Sequence, residues 1–284
     1  MSLSLICSSS DPVSSSIFQI LKNKINFKKQ NPDNIPNIKY NYYAFIKNNC
    51  RIDLYEFSKK LIETEFLNLI KTDLIIFISQ HKSKQNINIF SVHALGNWSN
   101  AAEFGGKPNQ LSISSPLNMF KILSLLKINN NTDIEVVYEA SHHGPLLNIP
   151  SFFVEFGGNP DSLSDLKYIK VLAKSIIDFI NYYITKGNTI QNNKEGSKPI
   201  SIALGIGGSH YASKFTKLAF SKNYAFSHIM PKYYIDNIGM LDQAISRSIP
   251  KPNIAVIEWK SLNSFQRNEL MKKLNELGID YEKI

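Results

Sequence analysis

The sequence is poor in cysteine and has no long hydrophobic run. Its two cysteines, Cys7 and Cys50, form no CxxC pair, so neither a disulfide framework nor a cysteine-rich zinc site is expected. Scarce cysteine suits a reducing compartment. No stretch approaches the ~18 consecutive apolar residues of a membrane helix. The segment Met1–Ser10 also lacks the basic start of a signal peptide. We therefore expect a cytoplasmic protein without a membrane segment.

Several compact catalytic motifs are also missing. The sequence has no HExxH pair, which would indicate a helix-borne zinc site. It has no GxSxG elbow, which disfavours a serine nucleophile. The glycine-rich stretch Gly205–Gly208 does not match GxGxxG, because its third glycine comes too early. If the protein is an enzyme, its site is assembled from residues distant in sequence.

The composition is that of a globular protein with excess positive charge. The 284 residues are 43% hydrophobic, and no composition break divides them, so a single domain over residues 1–284 is expected. The 32 basic and 23 acidic residues give a net charge of +9, which favours polyanionic partners such as nucleic acid. The alternative is a composition rich in lysine, isoleucine and asparagine that reflects no binding function.

Strand-like and helix-like patterns alternate along the chain. The clearest helix is Leu166–Ile184, whose apolar residues recur at three- and four-residue steps. This alternation predicts an α/β fold. We expect Ile134–Tyr138, Ile200–Leu204 and Ile254–Trp259 to lie in one central sheet with that helix packed on it. Other strands are predicted at Leu3–Cys7, Tyr42–Ile46, Ile52–Tyr55, Asp73–Ser79, Ile87–Val92, Phe152–Phe156 and Tyr224–Ile229. Other helices are predicted after Pro12 and at Pro116–Leu126, Ser213–Phe220, Met240–Ile249 and Phe265–Leu277, with loops at Lys28–Asn41 and Gly187–Ser197.

The histidines are the most informative residues for function. All six fall between predicted strands or at their ends: His81, His93, His142, His143, His210 and His228. Ligand sites in α/β sheets form outside the carboxyl ends of strands, so we expect several of these histidines to meet in one pocket. The alternative for each is a local capping role.

The sharpest motif is EASHHGP at Glu139–Pro145. Histidine titrates near neutrality and can remove a proton from water, so His142 or His143 is predicted to activate water or to bind a metal. Glu155 stands in an apolar strand, where a buried carboxylate needs a partner. We expect Glu155 and His210 to orient the reacting histidine. An exposed Glu155 beside the loop is the alternative.

The stretch Gly205–Gly208 predicts a strand-to-helix turn. Backbone N–H groups of Gly205, Gly207 and Gly208 are candidates for holding an oxyanion or a phosphate. The alternative is a tight turn that needs glycine for its positive φ. Lys214 and Lys232 are candidates for contacting a nucleic-acid phosphate.

A zinc site can also be assembled from these residues. The candidate ligands, not individually assigned, are His81, His93, His142, His143 and His210, with Glu139 or Glu155 as a carboxylate. Zn²⁺ takes such ligands and activates water for ester hydrolysis.

Eight blocks, in the same order along the chain, resemble the archaeal and plant type of D-aminoacyl-tRNA deacylase. They are SQHKS at Ser79–Ser83, His93 followed by GNW at Gly96–Trp98, FGGKP at Phe104–Pro108, YEASHHGP at Tyr138–Pro145, FVE at Phe153–Glu155, GIGGSHYASKFT at Gly205–Thr216, HIMPKY at His228–Tyr233, and Trp259-Lys260. The chain departs from the family pattern at Ser141, where threonine is usual, at Ser209, where glycine is usual, and at Ser213, where proline is usual. No departure removes a histidine or an acid.

The resemblance implies a zinc-dependent, monomeric hydrolase. Such an enzyme cleaves the ester of D-aminoacyl-tRNA at the acceptor end and so proofreads chirality in translation. It also implies a three-layer α/β/α sandwich with a mixed, largely parallel sheet, related to phosphorylase and peptidyl-tRNA hydrolase folds. Rejection of L-aminoacyl-tRNA would come from a clash in a chiral pocket. Two other functions stay open: a related hydrolase, such as a peptidyl-tRNA hydrolase or an aminopeptidase, and a tRNA-binding protein without catalysis.

Overall fold

The chain folds into helices packed on two main β-sheets, and the short strands Gly96–Asn97 and Gln110–Leu111 form a separate two-stranded sheet. The computed structural model describes residues 1–31, 35, 38–82, 87–186 and 199–284. The helices are α1 (Pro12–Lys24), α2 (Pro116–Asn129), α3 (Pro160–Leu163), α4 (Leu166–Lys186), α5 (Ser213–Lys222), α6 (Leu241–Ser246) and α7 (Ser264–Leu277). The strands are β1 (Ser2–Ser8), β2 (Lys28–Lys29), β3 (Tyr40–Lys47), β4 (Cys50–Phe57), β5 (Leu74–His81), β6 (Ile89–His93), β7 (Gly96–Asn97), β8 (Gln110–Leu111), β9 (Glu135–Tyr138), β10 (Ser151–Gly157), β11 (Ser201–Ile206), β12 (Tyr224–Met230), β13 (Ile254–Ile257) and β14 (Asp280–Lys283). Short 3-10 helices cover Leu61–Glu63, Glu65–Leu69, Lys232–Met240 and Trp259–Ser261.

The larger sheet is mixed and the smaller one is parallel. The strand order of the larger sheet is β2-β3-β4-β1-β5-β10-β6-β9. Its central strands β4, β1, β5 and β10 are parallel, whereas β6 runs antiparallel to β10. The smaller sheet has the order β12-β11-β13-β14, and all its pairs are parallel. The expectation of a largely parallel mixed sheet flanked by helices is therefore confirmed.

The prediction that Ile134–Tyr138, Ile200–Leu204 and Ile254–Trp259 share one sheet is wrong. β9 is an edge strand of the larger sheet, whereas β11 and β13 belong to the smaller one. Helix α5 covers the free edge of β9, where the N–H of Tyr138 donates to Thr216 Oγ1 at 2.8 Å. A side chain on a helix thus satisfies a strand edge that another strand would otherwise pair.

The core lies mainly between the larger sheet and its helices. Side chains alternate along β1, so Leu3 and Leu5 face the cluster that includes α1, α2 and α4, whereas Ile6 faces a separate cluster on the other side. Helix α4 contacts β10, which confirms the predicted packing of Leu166–Ile184 on a sheet. Among the described residues, no helix has the length and apolarity needed to cross a membrane.

The segment that follows β9 connects the two sheets and carries the EASHHGP motif. The N–H of Ala140 donates to the carbonyl of His210 at 2.8 Å, and the N–H of Ser141 donates to the carbonyl of Ile229 at 2.9 Å. These bonds hold Glu139–His143 between the end of the larger sheet and the loop after β11. Two predicted features lie outside the described residues, namely the loop Gly187–Ser197 and Ser83 of the SQHKS block.

Candidate active site

Strand ends and the loops after them bring five histidines and two glutamates together. His81 is the last residue of β5, His93 is the last residue of β6, and Glu155 lies in β10 between these two strands. Register places Glu155 beside Ser79 of β5 and Ser91 of β6. The other members come from the loops after β9 and β11: Glu139, His142, His143 and His210.

Glu155 is buried and is held by the two strands beside it. Its Oε1 accepts a hydrogen bond from Ser79 Oγ, and its Oε2 lies 3.1 Å from His81 Nδ1 and 3.8 Å from His93 Nε2. Burial alone would raise the pKa of this carboxyl, but the hydrogen bond of His81 and the charges of His81 and His93 hold it well below its ordinary value. Burial likewise opposes protonation of both histidines, but Glu155 and Glu139 raise the pKa of each. The expected partnering of a buried Glu155 is what the structure shows, and an exposed Glu155 is excluded.

Glu139 is the second centre of the cluster. Its carboxylate is 1% exposed, and its Oε2 lies 2.8 Å from His210 Nε2 and 3.8 Å from His142 Nε2. Its Oε1 lies 3.3 Å from His81 Nδ1. Burial raises the pKa of Glu139, but the close contact with His210 and the charges of His81 and His93 outweigh it and lower the pKa. His210 is therefore oriented by an ionised carboxylate.

His93, His142 and His143 form a compact triplet. The ring centroids of His142 lie 4.0 Å from those of His93 and 4.3 Å from those of His143. In each ring Nδ1 faces a backbone carbonyl: Ala94 at 3.1 Å for His93, Ala140 at 2.9 Å for His142 and Gly144 at 2.7 Å for His143. A carbonyl only accepts, so each Nδ1 carries the proton and each Nε2 of a neutral ring keeps its lone pair.

Burial keeps two members of the triplet in the neutral form. It lowers the pKa of His142 well below the ordinary value, and the neighbouring histidines lower it further. Burial, followed by the charge of His93, lowers the pKa of His143 to about 4. In the triplet, one ring nitrogen of each histidine lies within 4.8 Å of the other two. A second set with the same spacing consists of one ligand atom each from His81, Glu139 and His210. The described residues thus offer two sets of metal-type donors.

The cluster separates two cavities. One, of about 340 Å³, is lined by Ser8, Ser10, Leu61 and Ile62, among others. We call it the acidic cavity because Asp11 and Glu155 both line it, together with Lys60 and Lys82. The other, of about 280 Å³, is lined by Trp98, Tyr233 and Tyr234, among others, and we call it the aromatic cavity. Both cavities share Phe104, His142, His143 and His210. A substrate that spans the histidines would therefore occupy both.

The structure does not support the expected oxyanion or phosphate role of the glycine turn. Gly205 lies within β11. The N–H of Gly207 donates to the carbonyl of Met230 at 2.8 Å, and the N–H of Gly208 donates to Ser261 Oγ at 2.9 Å. Both residues have positive φ, and a Cβ on Gly208 would lie 2.4 Å from Glu258 Oε2. Glycine is thus required here by backbone geometry.

Three other sequence-predicted residues lie outside the cluster. His228 is inside β12, not at a strand end as predicted, and it is fully buried against Ser141 and Trp98. Lys214 Nζ lies 2.7 Å from Glu258 Oε1, so its charge is already paired. Lys232 is exposed at the start of a 3-10 helix, directly before Tyr233 of the aromatic cavity.

Sequence reasoning missed several residues of the site. Tyr211 lies with its hydroxyl 2.9 Å from His81 Nε2, and Ser79 bonds Glu155. Both stand in the quoted motifs, one residue after His210 and two residues before His81. Asp11 directly precedes Pro12 and the first predicted helix, and its carboxylate accepts hydrogen bonds from the N–H groups of Ser14 and Gln80 at the acidic cavity. No local pattern connects Asp11 with β5.

Fold and site together define an α/β protein with a histidine–carboxylate centre at the ends of its strands. A family model described as D-aminoacyl-tRNA deacylase matches residues 69–282. The D-aminoacyl-tRNA deacylase of Pyrococcus abyssi is 33% identical over 279 residues, which cover 96% of each chain. That of Thermococcus kodakarensis is 36% identical over 216 residues, covering 75% of this chain and 74% of its own. The chain belongs to the D-aminoacyl-tRNA deacylase family, as the sequence resemblance predicted.

A solved structure matches the whole fold. It is the crystal structure of a conserved protein of unknown function, with a TM-score of 0.83 and 26% identity. The match covers 100% of this chain and 95% of that one. The two-sheet arrangement described above is therefore found in another chain of similar length.

Proposed function

We propose that this chain hydrolyses the ester bond of D-aminoacyl-tRNA and releases a free D-amino acid and tRNA. The relatives that match most of the chain carry the name of this activity. The observation that carries the proposal is the pairing of His210 with buried Glu139, 2.8 Å apart, beside the three-histidine triplet. A histidine oriented by a carboxylate is the arrangement of a general base in acyl transfer.

The triplet of His93, His142 and His143 is proposed to hold zinc. Their Nδ1 atoms face backbone carbonyls, so their Nε2 atoms are left as ligand atoms, and His93 Nε2 is buried without a hydrogen-bond partner among the described residues. Three histidines and an open position are a typical catalytic zinc set. In the second set, His81 and His210 both contact the Glu139 carboxylate, and His81 also contacts Glu155. We therefore assign His81, Glu139 and His210 to proton transfer and orientation, not to metal binding. When bound, zinc supplies a Lewis acid that makes water more acidic and polarises a carbonyl.

The protein's own residues account for the proton transfers. His210 takes a proton from water while the water oxygen bonds to the ester carbonyl carbon, and Glu139 stabilises the imidazolium that forms. The bond between that carbon and the ribose oxygen then breaks, and the proton passes from His210 to the ribose oxygen. Glu155 acts through His81 and not on the substrate. It lies 3.1 Å from His81 Nδ1, and the same nitrogen lies 3.3 Å from Glu139 Oε1.

The binding partner is proposed to be the acceptor end of D-aminoacyl-tRNA, bound by a monomer in the cytoplasm as part of translation quality control. The charge of +9 supports a polyanionic substrate. A pocket that clashes with the L side chain supplies the selectivity. The fold is proposed to be related to the α/β/α sandwiches of phosphorylase and peptidyl-tRNA hydrolase. The mixed, largely parallel sheet with α1, α2 and α4 packed on it supports this relationship.

The deciding experiment is hydrolysis of D-tyrosyl-tRNA by the purified protein, before and after treatment with a chelator and after zinc is added back. Turnover that is lost with the chelator and restored by zinc supports the proposal. L-tyrosyl-tRNA, peptidyl-tRNA and a free peptide are assayed in parallel. Faster turnover of peptidyl-tRNA or peptide would favour one of the related hydrolases. Binding of tRNA without turnover of any substrate would favour a tRNA-binding protein.

A further inference from the structure

The two cavities on either side of the shared histidines differ in chemistry. The acidic cavity combines the carboxylates of Asp11 and Glu155 with the hydroxyls of Ser8 and Ser10 and with apolar side chains from the 3-10 helix Leu61–Glu63, and Lys60 and Lys82 also line it. The aromatic cavity contains several rings and a single carboxylate, that of Glu103. Since an aminoacyl ester joins an ammonium-bearing amino acid to a nucleoside, the two cavities fit its two halves.

Exposed rings are concentrated at the aromatic cavity. Among the described residues, only four aromatic side chains are classed as exposed: Phe104, Tyr233, Phe265 and Tyr281. Phe104, 65% exposed, and Tyr233, 53% exposed, both line this cavity. Exposed apolar area is unfavourable in water and is typical of a binding surface when it is clustered. A flat aromatic base would cover both rings.

The backbone segments that carry both rings are anchored within the protein. The carbonyl of Phe104 accepts a hydrogen bond from the N–H of Gly144 at 3.0 Å. Two residues further on, the N–H of Gly106 donates to Glu65 Oε1 at 3.1 Å. Tyr233 packs edge-on against Tyr234, with centroids 4.7 Å apart. The same 3-10 helix is tied to the floor of the cavity, because Asn237 Nδ2 donates to the carbonyl of Trp98 at 2.8 Å. A preformed platform loses little side-chain entropy on binding.

We propose that the aromatic cavity binds the adenine base of the 3′-terminal nucleotide of tRNA, stacked on Tyr233 and Phe104, and that the acidic cavity binds the D-amino acid. The ester then lies between them, at His142, His143 and His210, which line both cavities. This assignment rests on the proposed deacylase function. In this arrangement the Asp11 carboxylate would face the α-ammonium group, and Lys232, which is exposed and precedes Tyr233 in the chain, would face the phosphates.

The test uses adenosine monophosphate as a probe and calorimetric titration as the readout. Base–aromatic stacking contributes about 1–3 kcal/mol, so Tyr233→Leu should weaken the binding of adenosine monophosphate about 10-fold. Tyr233→Phe should keep the wild-type affinity, because the ring is retained. Phe265→Leu is the matched control, since Phe265 is exposed on α7 but lines neither cavity. Inorganic phosphate should bind more weakly than the nucleotide.

Kinetics supply the second readout. Tyr233→Leu should raise KM for D-tyrosyl-tRNA by more than it lowers kcat, and Tyr233→Phe should restore KM. The proposal is overturned if adenosine monophosphate does not bind the wild-type protein, if phosphate binds equally well, or if Tyr233→Leu and Phe265→Leu behave alike. A wild-type protein that binds the nucleotide but deacylates no D-aminoacyl-tRNA would instead overturn the proposed function. Deacylation without nucleotide binding overturns only the adenine assignment.

Discussion

A single buried carboxylate shows how the site depends on neighbours that are far away in sequence. Glu155 lies in an apolar strand, and desolvation alone would disfavour its charge. Ser79 and His81 from one neighbouring strand and His93 from the other compensate for that cost. Because His81 and His93 owe their raised pKa values to Glu155, their charges and that of Glu155 depend on one another.

Glu155→Gln should therefore destabilise the protein and not merely slow it. The substitution keeps the shape but removes the charge that His81 and His93 face, and loss of one partner from a buried ion pair costs about 3–5 kcal/mol. Urea denaturation of the wild type and the variant measures this change. Glu103→Gln, at an exposed position, is the control and should leave the unfolding midpoint unchanged. An unaltered midpoint for Glu155→Gln would show that the pair contributes no net stability.

Measurements of bound zinc and of the deacylation rate should distinguish the histidines that bind zinc from the histidine that acts as general base. His142→Ala and His143→Ala remove proposed ligands, so bound zinc and deacylation should fall together. His210→Ala should keep its zinc and lose about 10²–10⁴-fold in rate, which is the effect of losing a general base. Elemental analysis and single-turnover deacylation on the same preparations give both values. His228→Gln, which alters a histidine outside both cavities, should keep its zinc. If His210→Ala also loses zinc, the assignment of His210 as base is wrong.

The buried, neutral His228 should make the protein less stable in acid. Burial lowers its pKa to about 4 from an ordinary value of 6.5. Its Nε2 faces the carbonyl of Arg247, and its Nδ1 faces Ser141 Oγ. The unfolded chain takes up the proton first, so the stabilisation is complete above pH 6.5 and is lost as the pH falls toward 4. At 1.36 kcal/mol per pKa unit, the loss is about 3 kcal/mol.

The variant His228→Gln isolates this contribution from those of the other histidines. Glutamine does not titrate, so the free energy of unfolding of the variant should fall less than that of the wild type between pH 7 and pH 4.5. Urea unfolding at the two pH values gives the comparison. The same decrease in both proteins would mean that His228 is not the group responsible.

At the scale of elements, most strands and helices were predictable from local pattern, but their pairing was not. The β-branched run before His81 predicted β5, and the mainly aromatic run around Glu155 predicted β10. The three- and four-residue apolar repeat predicted α4. The sheet that a strand joins depends on contacts across the chain, so β9 was placed wrongly with β11 and β13. Met240–Ile249 was predicted as one helix, but α6 covers only Leu241–Ser246 after a 3-10 helix. The positions of the histidines at predicted strand ends indicated that they would converge. No local sequence pattern indicated the contact between Asp11 and Gln80.

The loop that contains Gly144 packs closely against the loop that contains Gly105 and Gly106. Adding a single methyl group at Gly144 should therefore have a large effect on activity. A Cβ on Gly144 would lie 2.1 Å from the N of Gly106 and 2.4 Å from the C of Gly105, both of them backbone atoms. Gly144→Ala must therefore displace the loop that carries Phe104, together with His143. We expect deacylation to fall about 10- to 100-fold, because small misplacements of catalytic groups have effects of that size.

The control for this change is another glycine substitution. Gly239→Ala adds the same methyl group where no atom lies within 4 Å, so activity should be unchanged. Thermal unfolding of both variants shows whether either change affects more than the loop. Wild-type activity in Gly144→Ala would mean that the loop does not position the site.

At the scale of the whole molecule, the structure divides the positive charge into paired and unpaired parts. Several lysines make ion pairs within the chain, including Lys214 with Glu258 at 2.7 Å and Lys272 with Glu269 at 2.7 Å. Among the described residues, no carboxylate lies within ion-pair distance of Lys232, which is exposed beside the aromatic cavity. Only charge of the unpaired kind is free to replace the counterions of a nucleic acid. Each ion pair is neutral, so the net charge of +9 reflects basic residues outside such pairs.

Salt dependence should show which lysines contact tRNA. Each phosphate contact contributes about 0.7–0.9 to the slope of log affinity against log salt concentration. Lys232→Ala should lower affinity for tRNA and reduce that slope by about one contact. Lys214→Ala should have a smaller effect, because Glu258 already neutralises Lys214, and Lys272→Ala on α7 should have none. Filter-binding titrations at several salt concentrations measure all three variants. An affinity that does not change with salt in the wild type would show that the positive charge is compositional, and equal slopes for Lys232→Ala and Lys272→Ala would place the tRNA away from Lys232.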